Sequence, residues 1–499
     1  MLTGQQLIAG TWKMGVATFT SAPASGAPMT VYVAGPDDIA AAVEAAEGAF
    51  ASFGATPRSQ RAAFLNTIAD EIDARGEAIT SIGTAETGLP EARLNGERGR
   101  TVGQLRLFAK HILDGGYLDR RHDEALPDRK PLPRSDLRMI QRPVGPVAVF
   151  GASNFPLAFS TAGGDTAAAL AAGCPVVVKG HPAHPGTGEI IAQAIDAAIR
   201  AHDLHPGVFS LLQGDTHDIG QALVTHPLIA AVGFTGSLGA GRALFDLCAA
   251  RPVPIPFYGE LGSINPVFLL PAALAARAEA MARGWAASLT MGAGQFCTNP
   301  GVVVAIAGEA AEQFVATATD ALTEAPEQTM LTDGIASAYR RGRDAATSGC
   351  TPLVRSESAG RKASADLLRV SGADWLANPT LSHEVFGPLG IIVLAEDAAQ
   401  VTEIATRLDG QLTCTLQMDA GDNDVARALL PILERKAGRI LANGFPTGVE
   451  VSDAMVHGGP YPASTNFGAT SVGTMAIRRF LRPVCYQDIP ATLLPDDLT

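Results

Sequence analysis

The fold class follows from the stretch Val144-Gly145-Pro146-Val147-Ala148-Val149-Phe150-Gly151, a short apolar run that ends in glycine. An alanine-rich helical segment follows, and the next apolar run is Pro175-Val176-Val177-Val178-Lys179. The alternation continues through a helix at 188–201 to strands at 208–212 and 229–234. Apolar strands that alternate with short helices predict a parallel, doubly wound α/β sheet. Ligands of such sheets bind outside the carboxyl ends of the strands, so the turns there are candidate sites.

The rest of the chain indicates further units. A second alternation of apolar strands and helices runs from about residue 265 to 441. The segment 37–112 is predicted to be helical, because apolar residues recur there at three- and four-residue spacing. Residues 127–133 are rich in proline and charge, which predicts a linker or excursion. Residues 137–142 roughly alternate apolar and polar side chains, as a strand with two different faces does.

Composition limits the class of function. At 499 residues, with 47% hydrophobic and 17% charged residues, the chain is typical of a globular enzyme of two or three domains. Its net charge of −13 and the lack of a dense basic cluster argue against a nucleic-acid partner. The six cysteines form no CxxC pair, so we expect neither a disulfide framework nor a metal site. With no visible secretory signal or membrane-spanning run, we expect a cytoplasmic protein without a membrane partner.

Two glycine-rich turns each hold one reactive side chain. Glu260 lies in Tyr258-Gly259-Glu260-Leu261-Gly262-Ser263, and Cys297 lies in Gly292-Ala293-Gly294-Gln295-Phe296-Cys297-Thr298. Glycines beside a polar residue let the backbone approach a ligand closely. A thiol is a strong nucleophile near neutral pH, and a carboxylate can act as its general base. The pair indicates covalent catalysis on a carbonyl, although a lone cysteine is more often a small buried hydrophobe.

Two features that follow strands are candidates for binding a dinucleotide. The turn Gly233-Phe234-Thr235-Gly236-Ser237-Leu238-Gly239-Ala240-Gly241 opens a helix, so Gly236, Ser237 and Gly241 can bring backbone N–H groups to a phosphate. The alternative is a glycine turn needed only for packing. Lys179 ends an apolar strand, from which its ammonium can reach ribose or phosphate oxygens. The alternative for Lys179 is a solvated side chain at a strand end.

Three more residues are candidates for the same site. Asn154 directly follows the first strand, and its amide can donate to a developing oxyanion, helped by the N–H of Cys297. Glu384 precedes a glycine-proline turn in His383-Glu384-Val385-Phe386-Gly387-Pro388, and its carboxylate can hold two ribose hydroxyls. Phe386 can pack beside the nicotinamide. Taken singly, a local asparagine turn, a surface glutamate and a core phenylalanine are the commoner interpretations.

In order and approximate spacing, the segments around these residues resemble those of the NAD(P)-dependent aldehyde dehydrogenase superfamily over about residues 30–485. The resemblance implies an α/β fold with a Rossmann-type cofactor domain and an α/β catalytic domain, joined by a small β oligomerisation element. The implied ranges are 1–118 and 143–260 for the NAD(P)-binding domain, 261–460 for the catalytic domain, and 119–142 with 461–499 for the oligomerisation element and C-terminal tail. A homodimer or homotetramer is implied as well.

The resemblance also implies a mechanism and a role for each candidate residue. Cys297 would attack the aldehyde, and Asn154 with the N–H of Cys297 would hold the oxyanion. Hydride transfer to the nicotinamide would leave a thioester, and Glu260 would activate the water that hydrolyses it. Lys179 and Glu384 would bind ribose hydroxyls of the cofactor, and Ser237 would contact its pyrophosphate.

Departures from the commonest family pattern are informative. Many members carry a glutamate three residues after the lysine, where it binds the adenosine 2′-hydroxyl, but this chain has Pro182 there. Without that carboxylate a 2′-phosphate is not repelled, so either NADP or NAD is expected, and His181 would favour NADP further. Ser263 stands where glycine is usual.

These departures, together with Pro254-Ile255-Pro256 and Gly294-Gln295-Phe296-Cys297-Thr298-Asn299-Pro300-Gly301, resemble the branch of bacterial 2-oxoglutarate semialdehyde (2,5-dioxopentanoate) dehydrogenases. The alternatives are an NADP-dependent dehydrogenase of long-chain or aromatic aldehydes and, more remotely, a non-catalytic homologue that acts as a binding protein.

Overall fold

The computed structural model describes residues 2–498, and its N-terminal part contains four short strands and four helices. They are β1 (Gln6–Ile8), β2 (Thr11–Lys13), β3 (Ala17–Thr20), β4 (Thr30–Val33), α1 (Pro36–Gly54), α2 (Arg58–Ala74), α3 (Gly76–Thr87) and α4 (Glu91–Asp114). The helices confirm the predicted helical segment. In α2, for example, Leu65, Ile68 and Ile72 lie on one face and are fully buried. Helix α4 ends at Gly115, whose left-handed conformation is a common helix stop.

The doubly wound sheet lies in the next part of the chain. Its elements, preceded by two strands of a smaller sheet, are β5 (Arg121–Asp123), β6 (Leu137–Pro143), β7 (Val147–Phe150), α5 (Gly164–Ala172), β8 (Val176–Lys179), α6 (Pro185–Ala201), β9 (Phe209–Leu212), α7 (His217–Thr225), β10 (Ala231–Thr235), α8 (Leu238–Ala250) and β11 (Phe257–Glu260). The strand order is β11-β10-β7-β8-β9-β1-β2. Helices cover both faces, so β7 and the valines of β8 are buried.

This sheet is mixed, which corrects the prediction of a parallel sheet. The five strands from β11 to β9 are parallel, but the hairpin of β1 and β2 joins the edge at β9 antiparallel. The two-residue loop of the hairpin, Ala9-Gly10, has positive φ at both positions, as tight hairpins require. Glycine adopts that conformation freely and alanine does not, so this loop carries a weak turn signal.

A second seven-stranded sheet supports the other half of the molecule. Its part of the chain contains β12 (Val267–Leu269), α9 (Pro271–Thr290), β13 (Val302–Ile306), α10 (Glu309–Thr323), β14 (Gln328–Thr329), α11 (Asp333–Thr347), β15 (Thr351–Val354), β16 (Lys362–Ala363), β17 (Asp366–Ser371), α12 (Gly372–Ala377), β18 (Leu389–Ala395), α13 (Ala398–Arg407), β19 (Gln411–Gln417), α14 (Asn423–Leu433) and β20 (Ala437–Ala442). The order is β15-β17-β18-β13-β12-β19-β20, with only β15 antiparallel. Trp285 anchors one of its cores: the ring is fully buried and its N–H donates to the carbonyl of Pro300.

A smaller sheet joins two segments that are far apart in sequence. Strand β21 (Leu481–Gln487) pairs antiparallel with β6 along its whole length, and β5 pairs with the other edge of β6. Strand β6 contains residues 137–142, where the alternation of apolar and polar residues predicts a strand. Two-stranded sheets form between β3 and β4 and between β14 and β16. Among residues 2–498, no helix has both the length and the apolar character that a membrane span needs.

Candidate active site

A cavity of about 640 Å³ lies where several strands of the first sheet end. Its wall includes residues just after β7, residues at the start of α8, and the carboxyl end of β11. Segments from the second half of the chain close the other side. The predicted site residues that line it are Asn154, Gly236, Ser237, Glu260, Cys297, Glu384 and Phe386. The structure therefore brings seven of the nine candidates around one space, at the sheet edge where α/β folds bind ligands.

Cys297 is held by an unusual local backbone. It follows α9 and a turn in which Gly292, Ala293 and Gly294 all have positive φ. A side chain at Gly294 would start 2.3 Å from the backbone of Gly387, so only glycine fits this close approach. The amide of Asn265 then donates to the carbonyl of Cys297 at 2.8 Å and to that of Asn299 at 2.9 Å. These bonds fix the segment that carries the thiol.

Glu260, at the end of β11, lies beside this thiol. Its Oε1 is 2.9 Å from Nε2 of His457, and its Oε2 accepts a 2.7 Å hydrogen bond from Ser471. The same Nε2 of His457 lies 3.5 Å from Sγ of Cys297. The thiol sulfur, the imidazole nitrogen and a carboxylate oxygen all lie within 4.8 Å of one another. Such a group could hold a metal ion, whereas the spacing of the cysteines predicts no metal site.

The protonation states of Cys297 and Glu260 are opposite. Burial raises the pKa of Cys297 well above its usual range, and the charge of Glu260 adds to this effect. Burial also acts to raise the pKa of Glu260, but the charge and hydrogen bond of His457 and the hydroxyl of Ser471 outweigh it, so that pKa is lowered. The resting pair is thus a thiol beside a carboxylate. A carboxylate in this position can accept the thiol proton when a substrate arrives.

Asn154 is hydrogen-bonded to the backbone segment that carries Cys297. It is buried, and its Nδ2 donates to the carbonyl of Gln295, two residues before Cys297, at 3.0 Å. An amide nitrogen carries two hydrogens, so this bond uses one donor. The second donor can serve an oxyanion formed beside Cys297.

The glycine turn between β10 and α8 forms the far side of the cavity. Ser237 caps α8: its hydroxyl accepts from the N–H of Ala240 at 3.4 Å. Leu238 and Gly239, in the first turn of this helix, line the cavity, so the N-terminal end of α8 faces it. Gly241 does not line the cavity; a side chain there would start 2.1 Å from Leu261, so this glycine serves close packing between α8 and the segment after β11.

Glu384 and Phe386 line the cavity opposite that helix. The carboxylate of Glu384 packs over Gly262, where a Cβ would start 2.8 Å from its Oε2. Burial raises the pKa of Glu384 to about 8, and the charge of Glu260 contributes in the same direction. A ligand hydroxyl could donate to this half-buried carboxylate, which also accepts from the backbone N–H of Ser263.

Lys179 lies at the end of β8, outside the cavity wall, and its Nζ donates to the carbonyl of Gly214 at 2.7 Å. The nearby His181 is half-buried and stacks on the buried His184 with ring centroids 5.2 Å apart. Burial, with the charges of His184 and Lys179, lowers the pKa of His181 well below its usual range. His181 is therefore uncharged at neutral pH, and the positive charge expected to favour a 2′-phosphate does not come from it.

The serine that replaces the usual glycine belongs to a buried polar network. The hydroxyl of Ser263 lies 2.9 Å from Oε1 of Gln411 and 3.0 Å from Oδ1 of Asn265. It also accepts from the N–H of Leu412 at 3.0 Å. Because Asn265 holds the carbonyl of Cys297, Ser263 supports the thiol segment from one step away. The departure from the family pattern is thus accommodated by hydrogen bonds.

Sequence reasoning missed the residues that complete this site. His457 and Ser471 lie on a segment without regular secondary structure. This segment lies beside the end of β11, where the N–H of Leu261 donates to the carbonyl of Ala463. One signal was present: His457 is followed by Gly458-Gly459, a polar residue beside glycines as at Cys297. Asn265 and Gln411 gave no such signal.

The chain is similar to known proteins in both sequence and fold. It is 55% identical to alpha-ketoglutaric semialdehyde dehydrogenase 2 of Azospirillum brasilense, over 100% of this chain and 96% of that protein. It is 50% identical to an alpha-ketoglutaric semialdehyde dehydrogenase of Acinetobacter baylyi, over 93% of this chain and 88% of that protein. The fold is similar to that of the NADP-dependent glyceraldehyde-3-phosphate dehydrogenase from Bacillus halodurans, with a TM-score of 0.83 and 21% identity over 98% of this chain and 99% of that one.

A family model confirms the resemblance that the ordered motifs suggested. The model of the aldehyde dehydrogenase family matches residues 18–336, which is more than half of the chain and includes Asn154, Glu260 and Cys297. With this match and the two long relatives, the chain belongs to the aldehyde dehydrogenase family.

Proposed function

We propose that this aldehyde dehydrogenase oxidises 2-oxoglutarate semialdehyde (2,5-dioxopentanoate) to 2-oxoglutarate with NADP or NAD. The observation that carries the chemistry is the contact of a protonated Cys297 with an ionised Glu260 in the wall of a cavity large enough for a dinucleotide. The substrate is supported by the two relatives of 50% identity or more, which are named for this semialdehyde. The complete set of Cys297, Glu260 and Asn154 argues against a non-catalytic homologue.

The geometry supports a covalent route. Glu260 accepts the thiol proton as the sulfur of Cys297 attacks the carbonyl carbon, and Asn154 donates to the oxygen that becomes negative. When bound, the nicotinamide cofactor supplies the hydride acceptor. The substrate is then held as a thioester of Cys297. Glu260 releases the thiol proton to solvent and then takes a proton from water, whose oxygen attacks the thioester carbon. The acid leaves, and the sulfur of Cys297 takes the proton back from Glu260.

The residues that would hold the cofactor surround the same cavity. Ser237 and the first turn of α8 present N–H donors to a pyrophosphate, and Glu384 accepts from ribose hydroxyls. Phe386 would offer an apolar surface to the nicotinamide, and Lys179, which ends β8 outside the cavity wall, would donate to the adenosine ribose. Pro182 leaves no carboxylate to repel a 2′-phosphate, which supports NADP as well as NAD.

Cofactor affinity is expected to fall as pH rises through about 8, because of Lys179. Burial lowers the pKa of this lysine to about 8, against the charge of Asp215. Below that pH the ammonium is charged and donates to the ribose; above it the charge is lost, so binding weakens by up to about tenfold per pH unit. Fluorescence titration of NADP across this range measures the effect.

The matched control is Lys179→Met. This variant should bind the cofactor more weakly, and its affinity should lack the fall that Lys179 causes as pH rises through about 8. Glu384 titrates in the same range, with a pKa of about 8, but it is present in both proteins. The difference between the two pH profiles therefore isolates Lys179. Identical profiles for the variant and the wild type would remove Lys179 from the cofactor site.

The proposed substrate is tested by comparing kcat/KM for 2,5-dioxopentanoate and a long-chain aldehyde, each with NAD and with NADP. We expect a large preference for the dioxo acid. A preference for the long-chain aldehyde would keep the chemistry but overturn the substrate assignment. Turnover that needs no nicotinamide would overturn the oxidation itself.

We also propose the domain division and the assembly that the family resemblance implies. The first sheet falls within 1–118 and 143–260, and the second within 261–460. Within residues 2–498, β21 forms an edge of the small sheet, and its outer side has no strand partner over seven residues. An open edge of this length is a ready site for a second copy of the chain, which supports a homodimer or homotetramer.

A further inference from the structure

Two arginines close to the thiol have buried donors without a partner. Arg100 lies on α4 and Arg439 on β20. Three of their guanidinium nitrogens are buried and have no hydrogen-bond partner among residues 2–498: Nε and Nη2 of Arg100, and Nε of Arg439. The other donors of both residues bind one segment: Arg100 donates to the carbonyl of Val449, and Arg439 donates to the carbonyls of Pro446 and Gly448.

Unpaired donors of this kind are unfavourable. A buried polar group without a hydrogen bond costs free energy, and a charged group costs more. Native proteins therefore pair nearly all buried donors, and each exception requires an explanation. An acceptor brought by a ligand could pair these donors, because the carbonyls of the 446–449 segment already bind the other donors of both arginines.

The electrostatics connect both arginines with Cys297. Burial lowers the pKa of Arg100, and the charges of ionised Cys297, Glu97 and Glu260 act in the opposite direction. Burial likewise lowers the pKa of Arg439, and ionised Cys297 opposes it. A guanidinium stays protonated at any working pH. Two positive charges therefore act on the space around the thiol, in a protein whose net charge is −13.

The surface between these groups is aromatic. The guanidinium carbon of Arg100 lies 5.3 Å from the ring centroid of Phe159, and that ring lies 6.1 Å from the ring of His457. Phe155 and Phe296 continue the apolar cluster beside Phe159. A short carbon chain could therefore lie on this surface, with an aldehyde at Cys297 and an anionic group at the arginines.

We propose that Arg100 and Arg439 bind the carboxylate of the substrate and select short aldehydes that carry an acid group at the other end. The proposal rests on the proposed function and deepens it, because it assigns the selection of the acid to two residues. Guanidinium groups suit carboxylates, since their N–H donors match the two oxygens. A neutral long-chain aldehyde would leave the buried donors unpaired and would be rejected for that reason.

The first test uses the variants Arg100→Met and Arg439→Met, with Arg106→Gln as the control. Arg106 is on the same helix but is exposed and pairs with Asp70 and Asp73. We expect each Met variant to raise KM for 2,5-dioxopentanoate by about tenfold to hundredfold, with little change for pentanal. An equal loss for both aldehydes would show that the arginines only support the 446–449 segment, and would overturn the proposal.

The second test needs no aldehyde and so separates the two proposals. Iodoacetate and iodoacetamide alkylate the same thiolate and differ in one negative charge, and peptide mass spectrometry follows the reaction at Cys297. The ratio of the iodoacetate rate to the iodoacetamide rate should fall about tenfold in each Met variant. An unchanged ratio contradicts the anion site. A fall of the ratio in a protein that does not oxidise the dioxo acid would retain the anion site and reject the proposed substrate.

Discussion

Replacing Cys297 with alanine is expected to abolish aldehyde oxidation while cofactor binding remains. The sulfur is the only group in the Glu260–Cys297–His457 cluster that can form the thioester, so kcat should fall by at least about 10⁴-fold. Ser237, Glu384 and Phe386 line the cavity independently of the thiol, so the dissociation constant of NADP should change little. Steady-state assays and cofactor titration measure the two quantities.

The control for this variant is Cys350→Ala. Cys350 is half-buried and packs against the core of the second half of the chain, away from the cavity. Its loss should leave kcat near that of the wild type. If the Cys297→Ala protein oxidised the aldehyde at a rate within tenfold of the wild type, the covalent route would be wrong.

Replacing Glu260 with glutamine should slow the release of product more than the oxidation step. The amide has the same shape and can stay beside His457 and Ser471, but it cannot take a proton from water. We expect the steady-state rate to fall by about 10²- to 10⁴-fold, with a rapid burst of one reduced cofactor per active site. Stopped-flow absorbance of the reduced nicotinamide measures the burst and the slow phase separately.

The burst distinguishes two roles for Glu260. If the rate of the burst falls as much as the steady-state rate, Glu260 is required to take the proton from the thiol. The raised pKa of Cys297 makes that role chemically reasonable. A burst close to the wild-type rate assigns the main role of Glu260 to hydrolysis of the thioester.

The parts of the fold that were predictable have strong local patterns. Strand β8 is a run of valines buried on both faces, and its limits agree with the prediction within one residue. Strands β1 and β2 have three residues each, too few to show a period, and β2 is partly exposed. They are defined by pairing with each other and with β9, which a local pattern does not contain.

In the candidate site, too, residues with a local sequence pattern are predictable, and residues placed only by long-range contacts are not. Cys297 and Glu260 are predictable because each lies within a glycine-rich turn, and Asn154 because it directly follows an apolar strand; all three stand in the order of the family motifs. His457 is 160 residues from Cys297 along the chain, on a segment without periodicity, and only folding brings the two together. Arg100 lies on a helix that carries several other charged residues, so its unpaired donors became visible only when its surroundings were known.

The most direct test of the covalent route is the mass of the peptide that contains Cys297. The Glu260→Gln protein, mixed with 2,5-dioxopentanoate and NADP and then quenched in acid, should retain the thioester, because its hydrolysis is slowed. We expect this peptide to carry one 2-oxoglutaryl group, and we expect the adduct to be absent when NADP is omitted. Reduced cofactor formed without any acyl group on Cys297, or an acyl group on another residue, would contradict it.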